Sequence, residues 1–133
     1  MARMLTLNPP YEGLSTIVNV LGRVGPKEQN NADDVRVVQR LLQMCARGSR
    51  IGGNLGMPQP SGHFDAATGF WIFYIQYDYK QHFGGTQIDG VVSPAHGSHY
   101  APGGGIWTIA ILNSLAKRNS ASDYASFLAS PTT

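Results

Sequence analysis

The sequence predicts a mainly α domain: a small three-helix bundle with long Gly/Pro-rich loops and an irregular N-terminal arm. Apolar residues recur at three- and four-residue spacing in three separated segments, and capping residues stand before the first two. Glycine and proline, 16 and 8 of 133 residues, gather between the segments. A single cysteine excludes an internal disulfide, and 42% hydrophobic residues suffice for the core of one domain.

The elements follow in order. Residues 1–30 form an arm packed on the domain: Asn8-Pro9-Pro10 is extended, the stretch from Ile17 to Leu21 is a short strand or turn, and Gly22, Gly25 and Pro26 break any helix. The helical body covers 31–118. Asn31-Ala32-Asp33-Asp34 offers a cap and first-turn carboxylates for helix one. Its inward stripe is Val35, Val38, Leu41, Leu42 and Cys45, with Arg36, Gln39, Arg40, Gln43 and Arg47 mostly outside and Gly48 at its end. Five glycines and two prolines make 48–63 a loop. Asp65 caps helix two, which runs through Ala66-Ala67, Trp71, Ile72, Ile75 and Tyr79 to Gly84-Gly85. A turn at Asp89-Gly90 and a polar, glycine-rich excursion from Ser93 to Gly105 lead to helix three, Ile106 to Lys117. The tail, 119–133, holds one more helical turn or two from Ser122 to Leu128.

Several functions are excluded. A net charge of +2, with no basic run beyond Lys117-Arg118, does not supply the phosphate contacts of nucleic-acid binding. The longest apolar runs, Phe70 to Ile75 and Ile106 to Leu112, are far short of the ~20 residues of a membrane span. The first ten residues lack the apolar stretch of a secretory signal. Synthesis as a soluble cytoplasmic protein is expected, with any delivery to the periplasm or a target cell independent of a signal peptide.

Helix two carries more aromatics than one buried face needs. Phe70, Phe73, Tyr74 and Tyr77 fall at i, i+3, i+4 and i+7 on a second face. Either Leu5, Leu7, Ile17, Val18 and Leu21 of the arm cover it as extra core, or it is an open platform for sugar rings or a protein partner. Among groups that bear chemistry, His96 and His99 with Asp89 are the one zinc-like set, and it lacks the spacing of a helical ligand pair. His63 and His82 read as loop and helix-end residues, and Cys45 as a small core residue. Asp33, Asp34, Asp65 and Asp89 serve helix starts and turns, which leaves no surplus carboxylate pair for glycoside hydrolysis. No catalytic group, metal or cofactor is expected.

The order of motifs resembles the peptidoglycan-binding-like domain over residues 24–115. The residues that carry the likeness are Val35-x-x-Val38-Gln39-x-x-Leu42, Gly62-x-Phe64-x-x-x-Thr68-x-x-Trp71-Ile72-x-x-Ile75-Gln76, Ile88-Asp89-Gly90-Val91-Val92 and Trp107. The opening from Arg23-Val24-Gly25 to Asp33-Asp34-Val35, and the later Pro102-Gly103-Gly104, are similar to the variant that accompanies type VI secretion effectors. The chain departs from the family at Ser61-Gly62, where the family has Asp-Gly, at Asp65 and Trp71, and in the insertion from Ala95 to Ala101. The resemblance implies a three-helix cell-wall module that binds peptidoglycan glycan or stem peptide without catalysis and localises itself or a partner at the bacterial wall. His63, Phe64, Tyr74, Tyr77, His99 and Tyr100 are the expected ligand-binding residues. The alternative keeps the fold without wall binding, as an adaptor or structural component of a secretion apparatus, with Phe70, Phe73, Tyr74 and Tyr77 facing a secretion-system protein or effector.

Overall fold

The backbone of the first segment is satisfied by a sheet rather than left irregular. In the computed structural model, which describes residues 4–47, 56–102 and 104–131, strands β1 (Met4–Tyr11) and β2 (Leu14–Val18) pair antiparallel. Among the described residues four helices follow: α1 (Ala32–Ala46), α2 (Ala66–Phe83), α3 (Thr108–Asn119) and α4 (Ala121–Ala129). About 45% of the chain so described is helical, and the fold is α+β. The expected mainly α three-helix bundle is therefore corrected on two counts.

The first is the hairpin. Its register runs Met4↔Val18, Leu5↔Ile17 and Thr6↔Thr16, then slips before Tyr11↔Leu14. Pro9 and Pro10 lie in the slipped stretch, where their missing N–H groups interrupt the ladder and mask the strand in the sequence. The connection is the pair Glu12-Gly13, both at positive φ (51° and 78°), as a tight two-residue hairpin requires. Glutamate is a rare residue there, so the usual Asn-Gly or Asp-Gly signal is absent.

The second is α4. Ser120 alone separates the two helices, ending α3 and beginning α4. Tyr124 and Phe127, one turn apart, bury against the bundle and carry the helix beyond the one or two turns expected. The Arg40 guanidinium lies 4.7 Å over the Phe127 ring and donates to the Ser130 carbonyl at 2.8 Å, clamping the end of α4 to α1.

The core holds Val35, Val38, Leu41 and Leu42 of α1, Trp71 and Ile72 of α2, Ile109 and Leu112 of α3, and Leu7, Ile17 and Val18 of the hairpin. Two buried polar groups orient these elements. Asn113, on the inward face of α3, accepts from the Val18 N–H (3.0 Å) and the Tyr124 hydroxyl (2.6 Å) and donates to the Val18 carbonyl (2.9 Å). One side chain thus joins β2, α3 and α4. Asp34 accepts from the N–H groups of Leu21 and Gly22 (2.9 and 3.0 Å), which seats the end of the arm on the first turn of α1. At the other end of α1, the Met44 and Cys45 carbonyls receive Ser120 Oγ and Asn119 Nδ2. Gly48, the expected end of helix one, lies outside the described residues.

Candidate functional site

Two glutamines build the scaffold of the site. Gln39 of α1 accepts from the Gly62 N–H (3.0 Å) and donates from Nε2 to the His63 carbonyl (2.9 Å) and Thr68 Oγ1 (3.0 Å). Gln76 of α2 repeats the device: Oε1 accepts from the Gly90 N–H (2.9 Å), and Nε2 donates to the Val91 carbonyl (3.1 Å), Asp89 Oδ1 (3.0 Å) and Thr108 Oγ1 (3.0 Å). Each clamp ties a helix, a turn with glycine at positive φ (81° at Gly62, 72° at Gly90) and a threonine opening the next helix. Both glutamines are fully buried. Gln39 was expected mostly outside the inward stripe of helix one; its amide faces inward because the turn offers it a partner for every polar atom.

Asp65 completes the first clamp. Its carboxylate caps α2 by accepting from the Thr68 N–H (2.8 Å) and hydroxyl (2.6 Å), and these donors hold its carboxyl below the usual range.

Two clefts flank the second turn. One, of about 520 Å³, opens between the first half of α2 and Ile88-Asp89-Gly90, with Phe64, Phe70 and Phe73 in its wall. Phe64 crosses α2 at Gly69, where a Cβ would stand 3.1 Å from the ring, so glycine there lets the ring lie against the helix. The other cleft, of about 580 Å³, lies between the last turn of α2 and the loop before α3, lined by Arg23, Lys80, Thr86, Pro102 and Trp107. Asp89 lines both, so the turn fixed by Gln76 stands between them.

The aromatic face of α2 is surface. Phe70, Phe73 and Tyr77 are 42%, 49% and 47% exposed, whereas Tyr74 packs partly against the core. Phe70 stacks on Tyr74 (centroids 6.2 Å apart, planes at 10°) and Phe73 on Tyr77 (6.4 Å, 16°). These i,i+4 pairs hold four rings as two flat steps. The arm does not cover them: Leu7, Ile17 and Val18 enter the core, Leu21 faces solvent, and the hairpin meets α2 through the Tyr11 and Tyr79 hydroxyls at 2.8 Å.

The other expected ligand residues do not converge. His63 is exposed, and its backbone serves the first turn through Gln39 and Ser61. His99 is only 7% exposed and stacks on Tyr11 with centroids 4.9 Å apart, beneath the hairpin rather than in a cleft. Tyr100 is exposed and bridges Ile106. Of the expected set, Phe64 lines a cleft and Tyr74 and Tyr77 stand on the adjoining helix face. His96 is exposed and sets its ring edge-on to Trp107 (5.7 Å), away from the Tyr11 contact of His99. Among the described residues no three His, Cys, Asp or Glu side chains gather to hold a metal ion.

Arg23, Lys80 and Trp107 were not singled out as site residues. Arg23 and Lys80 are 57 positions apart and only the fold brings them to one cleft. The sequence signal was Trp107 itself, a large aromatic beside a glycine-rich loop. Compared with family models, curated proteins and solved structures, the chain matches none. No helix among the described residues is long and apolar enough to cross a membrane.

Proposed function

We propose that this chain is a non-catalytic binding module for peptidoglycan, localising itself or a partner at the bacterial cell wall. The observation that carries the reading is the pairing of an open aromatic face, Phe70, Phe73 and Tyr77, with two adjoining clefts on either side of Asp89. Flat exposed rings offer apolar faces to the C–H surfaces of sugars, and a cleft beside them accommodates a branching peptide. The resemblance of the Gln39, Gly62, Thr68, Gln76 and Gly90 motifs to peptidoglycan-binding-like domains supports the same reading, and the clamps give those motifs a physical role: they fix the turns that border the clefts. The opening around Val24-Gly25 extends the likeness to modules that accompany type VI secretion effectors.

Binding rather than hydrolysis is favoured by how the reactive groups are used. Cys45 is sealed in the core, its thiol donates to the Leu112 carbonyl at 3.3 Å, and burial pushes its pKa up, away from the thiolate a nucleophile needs. Asp65 and Asp89, the carboxylates nearest the clefts, are held by a helix cap and a turn.

A second reading is supported by the extent of the apolar surface. Phe70, Phe73 and Tyr77 together form a face that suits a protein partner, as in an adaptor of a secretion apparatus. Co-sedimentation with purified sacculi separates the two. The wall module pellets with sacculi, and Phe73→Ser with Tyr77→Ser reduces the pelleted fraction severalfold while the protein still melts cooperatively as a folded domain. A folded wild type that stays in the supernatant across salt concentrations refutes wall binding and leaves the protein-partner reading.

A further inference from the structure

The two clefts differ in chemistry. The one beside the aromatic steps has phenylalanine walls, whereas the one at the C-terminal end of α2 carries two cations, Arg23 and Lys80. Asp89 is the one carboxylate in its described lining, and Oδ1 is engaged by the Gln76 amide and the Val91 N–H. The Arg23 guanidinium has Glu28 at 3.8 Å, beyond hydrogen-bond reach, and its side chain is 62% exposed. Lys80 forms no ion pair among the described residues. Trp107 supplies an apolar wall, and Gly105 lets the loop before α3 close on the Gly85 backbone, where a Cβ would stand 3.0 Å from the Gly85 carbonyl oxygen.

Resting on the wall-binding reading, we propose that this cleft selects the stem peptide through a free carboxylate, received by Lys80 and Arg23, while the attached sugar lies on Phe70 and Phe73. Charge complementarity carries the assignment. A neutral glycan has no use for two cations beside an engaged aspartate, whereas a peptide carboxylate gains charge-assisted hydrogen bonds from both. The recognised wall component is then the peptide, and the aromatic cleft adds contact area.

The test is calorimetric titration of the full chain with a synthetic stem peptide whose carboxylates are free and with the same peptide fully amidated. Emission of Trp107 serves as a local reporter, because the other tryptophan, Trp71, is fully buried. The free peptide is expected to bind at least about tenfold more tightly than the amidated one, with affinity falling as salt is raised. The double variant Arg23→Gln with Lys80→Gln is expected to erase that preference with an unchanged melting curve. Equal binding of the two peptides, or a preference that survives the double variant, overturns the proposal. Pelleting with sacculi without any preference for the free carboxylate overturns the cleft assignment and leaves the wall module standing. Carboxylate-dependent binding without pelleting keeps the cleft and removes the wall.

Discussion

Gln39 and Gln76 are fully buried, and each fixes a part-buried turn and a buried threonine with a single side chain. Gln76→Leu, close in volume, leaves the Gly90 N–H, the Val91 carbonyl and the Thr108 hydroxyl without this partner. The expected loss is about 2–4 kcal/mol, measured by urea unfolding. Asp65 acts through charge. Thr68 donates twice to its carboxylate, so the ionised form is favoured in the native state and the native pKa lies below the unfolded one. Its contribution is therefore present above the ordinary aspartate value of about 3.9 and is lost as pH falls through the lower native value. Asp65→Ala is expected to cost about 1 kcal/mol near neutral pH, with the gap to wild type closing in acid, followed by thermal melts across pH. The cap was legible in the sequence because Asp65 precedes Ala66-Ala67 and a helical run. The glutamines were legible only as motif letters: a polar residue flanking an apolar stripe reads as solvent-facing until its partners, 23 and 14 residues downstream, are seen.

Among elements, α2 is the one whose two faces do different work. Trp71, Ile72 and Ile75 are buried and hold the fold, whereas Phe70, Phe73 and Tyr77 are half exposed. Phe73→Ser and Tyr77→Ser are thus expected to change stability by no more than about 1 kcal/mol each, in contrast to Ile72→Ala at about 2–5 kcal/mol, with chemical denaturation as the measure. The three main helices were readable because their periodicity and breakers agree, to within two residues at their starts. The hairpin was not. Two prolines disrupt its ladder, a Glu-Gly turn conceals its reversal, and the apolar residues of β1 reach the core at Leu7 and Tyr11 on either side of the slip. The excursion from Ser93 to Gly105 was read as polar loop, yet it is tied down: Asn19 exchanges two hydrogen bonds of 3.0 Å with the Ala95 backbone, and the Asn8 N–H reaches the Gly97 carbonyl at 3.1 Å. Such anchoring depends on residues some 76 positions apart and leaves no local trace.

At the scale of the molecule, the candidate site exists only because four distant pieces meet: the loop at Arg23, both ends of α2, the turn at Asp89 and the loop at Trp107. The Val24 and Val92 backbones exchange hydrogen bonds of 3.0 and 2.8 Å, which brings the first of these to the third. This is why the sequence showed the aromatic stripe, which lies on one helix, and not the cationic cleft, which spans the chain. Cys45, near the C-terminal end of α1, is 3% exposed and lies against α3. A thiol reagent is expected to label it at least about a thousandfold more slowly than the denatured chain, at a rate set by opening of the whole domain. Rapid labelling under native conditions contradicts a single closed core.

The bond between Asn113 and Val18 spans 95 residues. During synthesis the hairpin emerges well before α3, its inner backbone without this partner and its apolar side uncovered until Asn113 follows. A nascent chain stopped before α3 is therefore expected to present Leu7, Ile17 and Val18 to whatever chaperone surveys it.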